Sequence, residues 1–386
     1  LPVKLHRMLK RILQPQIESV LNRQKITLLL GARRTGKTEL LRAIYQPRMD
    51  NAVWLNGEDM DAAALLEYRS EANYRRLMAG RGLLIIDEAQ YIPDIARKAK
   101  LMVDTIEPLH IILTGSSAFD LVQMGEPLVG RATVFLIFPL CYAEWKQQED
   151  PLQTRQLFED KLIFGNYPEL SKLQSAAQKE TYLKDMVNTY LLKDILAFEN
   201  IRNAQKLREL LVLLAHQIGA EVSLDELGRQ LGMSRNTVDR YLDLLSKVFV
   251  VYGRSGFSGN LRKEVVKSKH WYFYDNGIRN ALLNDFSPLA LRNDRGVLWQ
   301  QHFVNERFKH NHYQGNPPES YFWRTYDQQE IDLVEVRNRQ IMAFECKWKD
   351  ETAKVPAAFA KAYPEAGFAV ATPGNYEAWV SGAPVL

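Results

Sequence analysis

Only two cysteines, Cys141 and Cys346, occur in 386 residues. That scarcity excludes a disulfide framework and fits a reducing compartment. Long apolar runs are also missing. The longest, residues 210–215 and 248–252, fall far short of the ~18 residues a membrane helix needs. No charge of one sign dominates: 50 Lys plus Arg against 46 Asp plus Glu leave +4. Bulk charge therefore implies neither nucleic-acid nor membrane binding, and a local basic patch would have to carry either. At 46% hydrophobic and 25% charged the chain lacks the signature of disorder. Residues 1–10 are basic without a continuous apolar core, unlike a secretory signal. The expectation is a cytoplasmic chain of two or three domains with no membrane partner.

What is present begins after a helical stretch over residues 4–22. Residues 25–30 (KITLLL) are a short β-rich run that ends in Gly31-Ala32-Arg33-Arg34-Thr35-Gly36-Lys37-Thr38. This is the full G-x-x-x-x-G-K-[ST] pattern, placed between a strand and a helical segment over 39–45. The two glycines allow backbone angles that turn successive N–H groups toward a phosphate. The helix opening near Lys37 directs its positive dipole end at the same anion. In this pattern Lys37 reaches the β- and γ-phosphates of ATP and the Thr38 hydroxyl ligates Mg²⁺.

Fifty residues on, the apolar run Leu83-Leu84-Ile85-Ile86 reads as a buried parallel strand and ends in Asp87-Glu88. Asp87 at that tip can hold the Mg²⁺ hydration shell, and Glu88 can polarise an attacking water. Taken alone, two adjacent acids also suit a solvated turn; the upstream loop favours the chemical reading. Residues 51–55 (NAVWL) and 110–114 (HIILT) supply further strands, the second ending in Thr114-Gly115-Ser116-Ser117. A polar group there would lie between the phosphate loop and Glu88. A last strand spans 132–139, after Gly130-Arg131. The order describes an open α/β fold, a doubly wound parallel P-loop sheet with ligand at the strand C-termini.

Residues 31–38, 83–91 (LLIIDEAQY), 113–117 (LTGSS) and 129–139 (VGRATVFLIFP) resemble the prokaryotic AAA+-type ATPases that carry an uncharacterised C-terminal domain. The resemblance implies that Thr114 and Ser116 belong to a sensor motif. It also implies that Arg131 is a sensor or arginine finger for a γ-phosphate in its own or a neighbouring subunit. A surface arginine is the other reading. AAA-type relatives often form rings, so a homo-oligomer is a further expectation.

Residues 151–217 read as core-facing helices, and the likeness continues through 164–169 (FGNYPE) and 190–195 (YLLKDI) without assigning chemistry there. Ser223 with Glu226 then forms a capping box, Gly232 makes a turn, and Ser234 caps a second helix. This is helix-turn-helix spacing, and the basic segment 254–270 between β-rich stretches reads as a wing. Residues 221–270 hold nine basic and six acidic side chains, most of the chain's positive excess. One reading puts Arg235, Asn236 and Arg240 near a DNA major groove. The other packs this winged helix against the nucleotide domain without touching DNA.

The C-terminal part opens a helix near Gly296, followed by a strand at 321–324 and two alternating runs, 330–335 and 342–348. A hairpin turn centred on Asn338 and Arg339 sets Asp332 opposite Glu345 and Glu330 opposite Lys347. Opposed carboxylates repel unless solvated or bridged by a divalent cation. Asp332, Glu345 and Lys347 fit D…E-x-K, the metal-binding core of restriction-endonuclease-like folds. The resembling family usually has a glutamate where this chain has Gln300, and Glu306 is a candidate substitute. Composition alone would leave these as exposed strand charges. The division expected is an N-terminal helix (1–24), a P-loop core (25–148), a helical region (149–217), a winged helix (218–275) and a nuclease-like domain (276–386). Three functions follow: a Mg²⁺-dependent ATPase, an ATP-regulated DNA nuclease, and a nucleotide-gated switch with negligible turnover.

Overall fold

The computed structural model describes residues 9–116, 128–191, 204–258, 269–349 and 352–382. Ser117, residues 192–195 and the wing residues Arg262, Lys263 and Lys267 lie outside them. The chain divides into two compact units, Leu1–Phe138 with Lys247–Phe249 and Pro139–Ser246 with Val250–Leu386.

In the first unit the apolar runs become five parallel strands, β1 (Ile26–Leu30), β2 (Ala52–Asn56), β3 (Leu83–Asp87), β4 (His110–Gly115) and β5 (Ala132–Leu136). They lie in the order β2-β3-β4-β1-β5. β1, β3 and β4 are buried along their whole length and hold the centre, while the more exposed β2 and β5 take the edges. Insertion of β4 between β1 and β3 sets three strand tips side by side: the phosphate loop, Thr114 and Asp87. Helix α1 (Leu13–Glu18) is shorter than the expected 4–22. Ser19 closes it by turning its hydroxyl back to the Gln16 carbonyl, the competition with helix that serine offers. Helix α2 (Lys37–Tyr45) starts directly after Gly36, whose φ of 92° is left-handed.

The second unit begins with helices Tyr142–Trp145, Pro151–Gln156, Phe158–Phe164 and Ala176–Asp185, a π-helical turn Met186–Leu191, and the helix Ala204–His216. A short strand β6 (Glu221–Val222), the helices Leu224–Leu231 and Arg235–Lys247, and strands β7 (Val251–Arg254) and β8 (Lys269–Phe273) follow, with the strands in order β6-β8-β7. Gly232 is left-handed at φ 63°, and a Cβ on Gly228 would lie 2.7 Å from the Met233 carbonyl oxygen, so the turn between the two helices needs both glycines. Ser223 and Ser234 accept from the N–H groups of Glu226 and Thr237 as caps. The Glu226 carboxylate accepts from Gln230.

The last part packs the helix Arg295–Tyr313 with four strands, β9 (Glu319–Arg324), β10 (Glu330–Arg337), β11 (Gln340–Cys346) and β12 (Gly367–Ala371). Their order is β12-β11-β10-β9, antiparallel except for the parallel pair β11–β12. Leu333 faces Phe344 and Arg337 faces Gln340, the register expected for a turn at Asn338 and Arg339. Both turn residues have positive φ, 50° and 69°, as a tight two-residue hairpin requires. The sheet buries Trp323, Ile331, Val334 and Ala343 with Phe359 from the helix Ala357–Ala362. Among the described residues no helix is long and apolar enough to cross a membrane.

Candidate functional site

The phosphate loop is held open by its own carbonyls. Lys37 Nζ donates to the Gly31 and Ala32 oxygens at 2.8 and 3.0 Å, and the Thr35 hydroxyl donates to Ala32 O at 2.8 Å. Lys37 is buried, so its charge is offset by these dipoles. Arg34 and Gly36 both take positive φ, 66° and 92°, which turns the chain around the loop. Gly31 has no room for a side chain, since a Cβ would sit 2.1 Å from the Ile137 oxygen at the end of β5.

Asp87 meets this loop at the tip of β3. The Thr38 hydroxyl donates to Asp87 Oδ2 at 2.7 Å and the Thr114 hydroxyl donates to Oδ1 at 2.6 Å. Thr114 also accepts the Glu88 N–H at 2.8 Å. One hydroxyl at the tip of β4 thereby ties both acids of the adjacent strand together. Glu88 itself is left-handed, φ 50° and ψ 47°, a conformation costing about 1 kcal/mol for a residue with a Cβ. Gln90 Nε2 holds its Oε2 at 2.6 Å. Gly57, beyond β2, donates its N–H to Asp87 O, and a Cβ there would strike the Glu88 oxygen at 2.2 Å. Ser116 follows β4 and is buried. Thr38 and Asp87 are hard oxygen donors in contact, a set that suits a largely hydrated Mg²⁺.

Arg131 lies elsewhere. It precedes β5, at the edge where the parallel strands begin, and its Nε donates to Asp104 at 2.7 Å. Five residues of β5, about 3.3 Å each, separate it from the strand tips. That span is longer than an arginine side chain.

In the second unit Arg235, Asn236 and Arg240 are exposed on one helix, with Arg235 3.5 Å from Asp225. The charged triple of the last domain is arranged differently. A bulge in the β9–β10 pairing falls between Ile331 and Val334 and aims Asp332 out of the regular ladder. Asp332 Oδ2 accepts the Cys346 N–H at 2.7 Å, and Oδ1 accepts Gln300 Nε2 at 2.8 Å. Lys347 Nζ donates to Glu345 at 2.8 Å. Burial, and next the Glu345 carboxylate, push Asp332 up to about 7. Glu306 does not replace the missing acid: it is buried and accepts from Lys309 Nζ and the Tyr142 N–H. Among the described residues no group of three His, Cys, Asp or Glu is placed to hold a metal. Both Asp332 oxygens thus accept from N–H donors, and Glu345 is engaged by Lys347. His302, buried and pushed down to about 4 by that burial, joins no ligand cluster either.

Comparison with known proteins matches three stretches of the chain. Residues 23–146 match a family model described as an AAA domain. Residues 155–289 and 295–381 each match a domain of unknown function, DUF8612 and DUF4143. An uncharacterised protein of Mycobacterium tuberculosis is 28% identical over 338 residues, 86% of this chain and 72% of its own. An uncharacterised protein of Methanocaldococcus jannaschii is 25% identical over 315 residues, 70% of this chain and 65% of its own. The solved structure of a Walker-type ATPase of Pyrococcus abyssi superposes with a TM-score of 0.50 at 15% identity, over 70% of this chain and 94% of that one. Residues 23–146 are thus similar to an AAA domain, and the superposition shows a shared fold.

Some contacts of the AAA+ unit carry no sequence signal. Arg11, a lone arginine twenty residues before the motif, is buried and donates to the carbonyls of Thr35 and Phe138. Arg33 donates to the Tyr91 hydroxyl at 3.0 Å. Gln90 could have been suspected, two residues from Glu88, but only the left-handed turn brings it onto that carboxylate.

Proposed function

We propose that the chain hydrolyses Mg·ATP at the tips of β1, β3 and β4. The observation that supports this most is the Asp87 carboxylate, held between the Thr38 and Thr114 hydroxyls beside the phosphate loop. The N–H groups of residues 31–38 bind the phosphates, and Lys37 leaves the Gly31 and Ala32 carbonyls for the β- and γ-oxygens. Thr38 and Asp87 would hold Mg²⁺, which offsets charge on the phosphates when bound. Glu88, oriented by Gln90, draws the proton of an attacking water. Thr114 touches both acids, so displacement at Asp87 is felt at Glu88, which suits it and neighbouring Ser116 to sensing the γ-phosphate. Arg131, at the far edge of the sheet, acts on the nucleotide of a neighbouring copy in a homo-oligomer.

In this reading the nucleotide state is transmitted to the second unit. The element order around Arg235–Lys247 is that of a winged helix, and the exposure of Arg235, Asn236 and Arg240 favours contact with DNA phosphates. The C-terminal sheet then serves as a binding scaffold, because Gln300 and the engaged oxygens of Asp332 disfavour phosphodiester hydrolysis. Phosphate release by the unmodified chain and by Glu88→Gln tests the ATPase. Turnover lost with ATP binding retained supports it, whereas equal turnover overturns the role of Glu88. Incubation with single- and double-stranded DNA and Mg²⁺ or Mn²⁺ tests the scaffold: uncut DNA supports it, and cleavage abolished by Asp332→Ala restores the nuclease.

A further inference from the structure

Three carbonyls of the phosphate loop are held, and the holders differ in what nucleotide binding does to them. Gly31 O and Ala32 O accept from Lys37 Nζ, and Ala32 O also accepts from the Thr35 hydroxyl. Thr35 O accepts from Arg11 Nη1. When Lys37 turns to phosphate its two contacts are released. The contact from Arg11 need not change, because that guanidinium comes from outside the loop and its other nitrogen, Nη2, is fixed on Phe138 O at 2.7 Å. Leu13 and Ile17 of α1 are buried and anchor the segment that carries Arg11.

The carbonyl held by Arg11 belongs to the same planar peptide unit as the N–H of Gly36. In a trans peptide the two bonds point in opposite directions, so fixing one fixes the other. Gly36 is the residue least able to hold that plane itself: it lacks a Cβ and has a φ of 92°. The neighbouring hydroxyl of Thr35 is already committed to Ala32 O. Arg11 is also a buried cation close to where an anion would bind, so its field acts in the same sense as its hydrogen bond.

We propose that Arg11 is a positioning residue of the nucleotide site, locking the Thr35–Gly36 peptide so that the Gly36 N–H stays aimed at phosphate. The inference rests on the nucleotide-binding reading of residues 31–38. Its effect falls on phosphate affinity, not on the hydrolytic step, because Arg11 contacts neither Glu88 nor Asp87 in the bonds that define it.

The test uses the full chain titrated with ATP and with ADP, comparing Arg11→Ala, Arg11→Lys and Lys37→Ala with the unmodified protein. Arg11→Ala is expected to weaken both nucleotides by about tenfold or more, the loss of a charge-assisted bond to a loop carbonyl. KM for ATP rises by a similar factor while kcat at saturation stays within about threefold. Arg11→Lys, with one compact donor in place of the planar fork, recovers part of the affinity. A folded Arg11→Ala protein with full affinity, or with fewer binding sites of unchanged affinity, overturns the proposal and leaves Arg11 a structural brace. If Arg11→Ala does not fold, Arg11→Lys decides, and unchanged affinity overturns it. Loss of binding in Lys37→Ala alone, with Arg11 variants unaffected, removes only this inference; retention of full affinity in Lys37→Ala removes the reading beneath it.

Discussion

Asp87 and Asp332 are both strand carboxylates that the sequence marks for a divalent cation, and the fold treats them in opposite ways. Asp87 ends a buried parallel strand and is met by two threonine hydroxyls, each of which can turn its lone pairs or its proton as needed. Asp332 sits at a bulge and accepts from a backbone N–H and from the Gln300 amide, which are oriented as donors. Hydroxyl partners can join a metal shell; N–H partners compete with it. The same contrast extends to the neighbouring acid. Glu88 has a left-handed backbone and its carboxylate accepts from Gln90, whereas the Glu345 charge, after burial, raises Asp332 to about 7. Two motifs of similar appearance therefore differ in whether their surroundings leave a carboxylate available.

The largest effect expected is at Glu88. Glu88→Gln should reduce ATP turnover by about 10²–10⁴-fold with nucleotide affinity retained, measured as phosphate release and calorimetric binding. Asp332→Ala in the same assay should leave turnover unchanged. If both substitutions abolished turnover, the two sites would not be chemically distinct. Gly31→Ala should destabilise the fold by about 1–3 kcal/mol in denaturant unfolding, because its new methyl meets the Ile137 oxygen.

A pH titration sharpens the contrast further. The folded Asp332 value, raised to about 7, lies above that of an unfolded aspartate, so the folded chain retains a proton that the unfolded chain releases. This group's contribution is full below about pH 4, where unfolded aspartate is also protonated, and is lost as pH rises through about 7. Asp332→Asn should flatten that part of the stability profile. Smallest is the effect at the exposed helix. Arg240→Ala should lower DNA affinity modestly and reduce its dependence on salt by about one unit of slope. An unchanged slope would place Arg240 away from phosphate.

Legibility in the sequence followed how local each signal is. The phosphate loop, the strand ending in Asp87 and the hairpin at Asn338 and Arg339 are contiguous patterns whose geometry is set by chain neighbours, and each folds as read. The place of Thr114 was readable because it ends an apolar strand run of the same parallel sheet. The place of Arg131 was not legible, because a residue next to a strand can lie at either sheet edge and only the parallel register shows which one. Glu306 failed as a substitute because its place about two helical turns beyond Gln300 brings it to Lys309 and Tyr142. Arg11 left no trace: its value lies in contacts 24 and 127 residues away along the chain.

Calorimetric titration of ATP and Mg²⁺ into the unmodified chain and into Lys37→Ala tests the account most directly. Binding to the unmodified chain and a loss of about 100-fold or more in the variant is the predicted result. Equal affinity in both would contradict it.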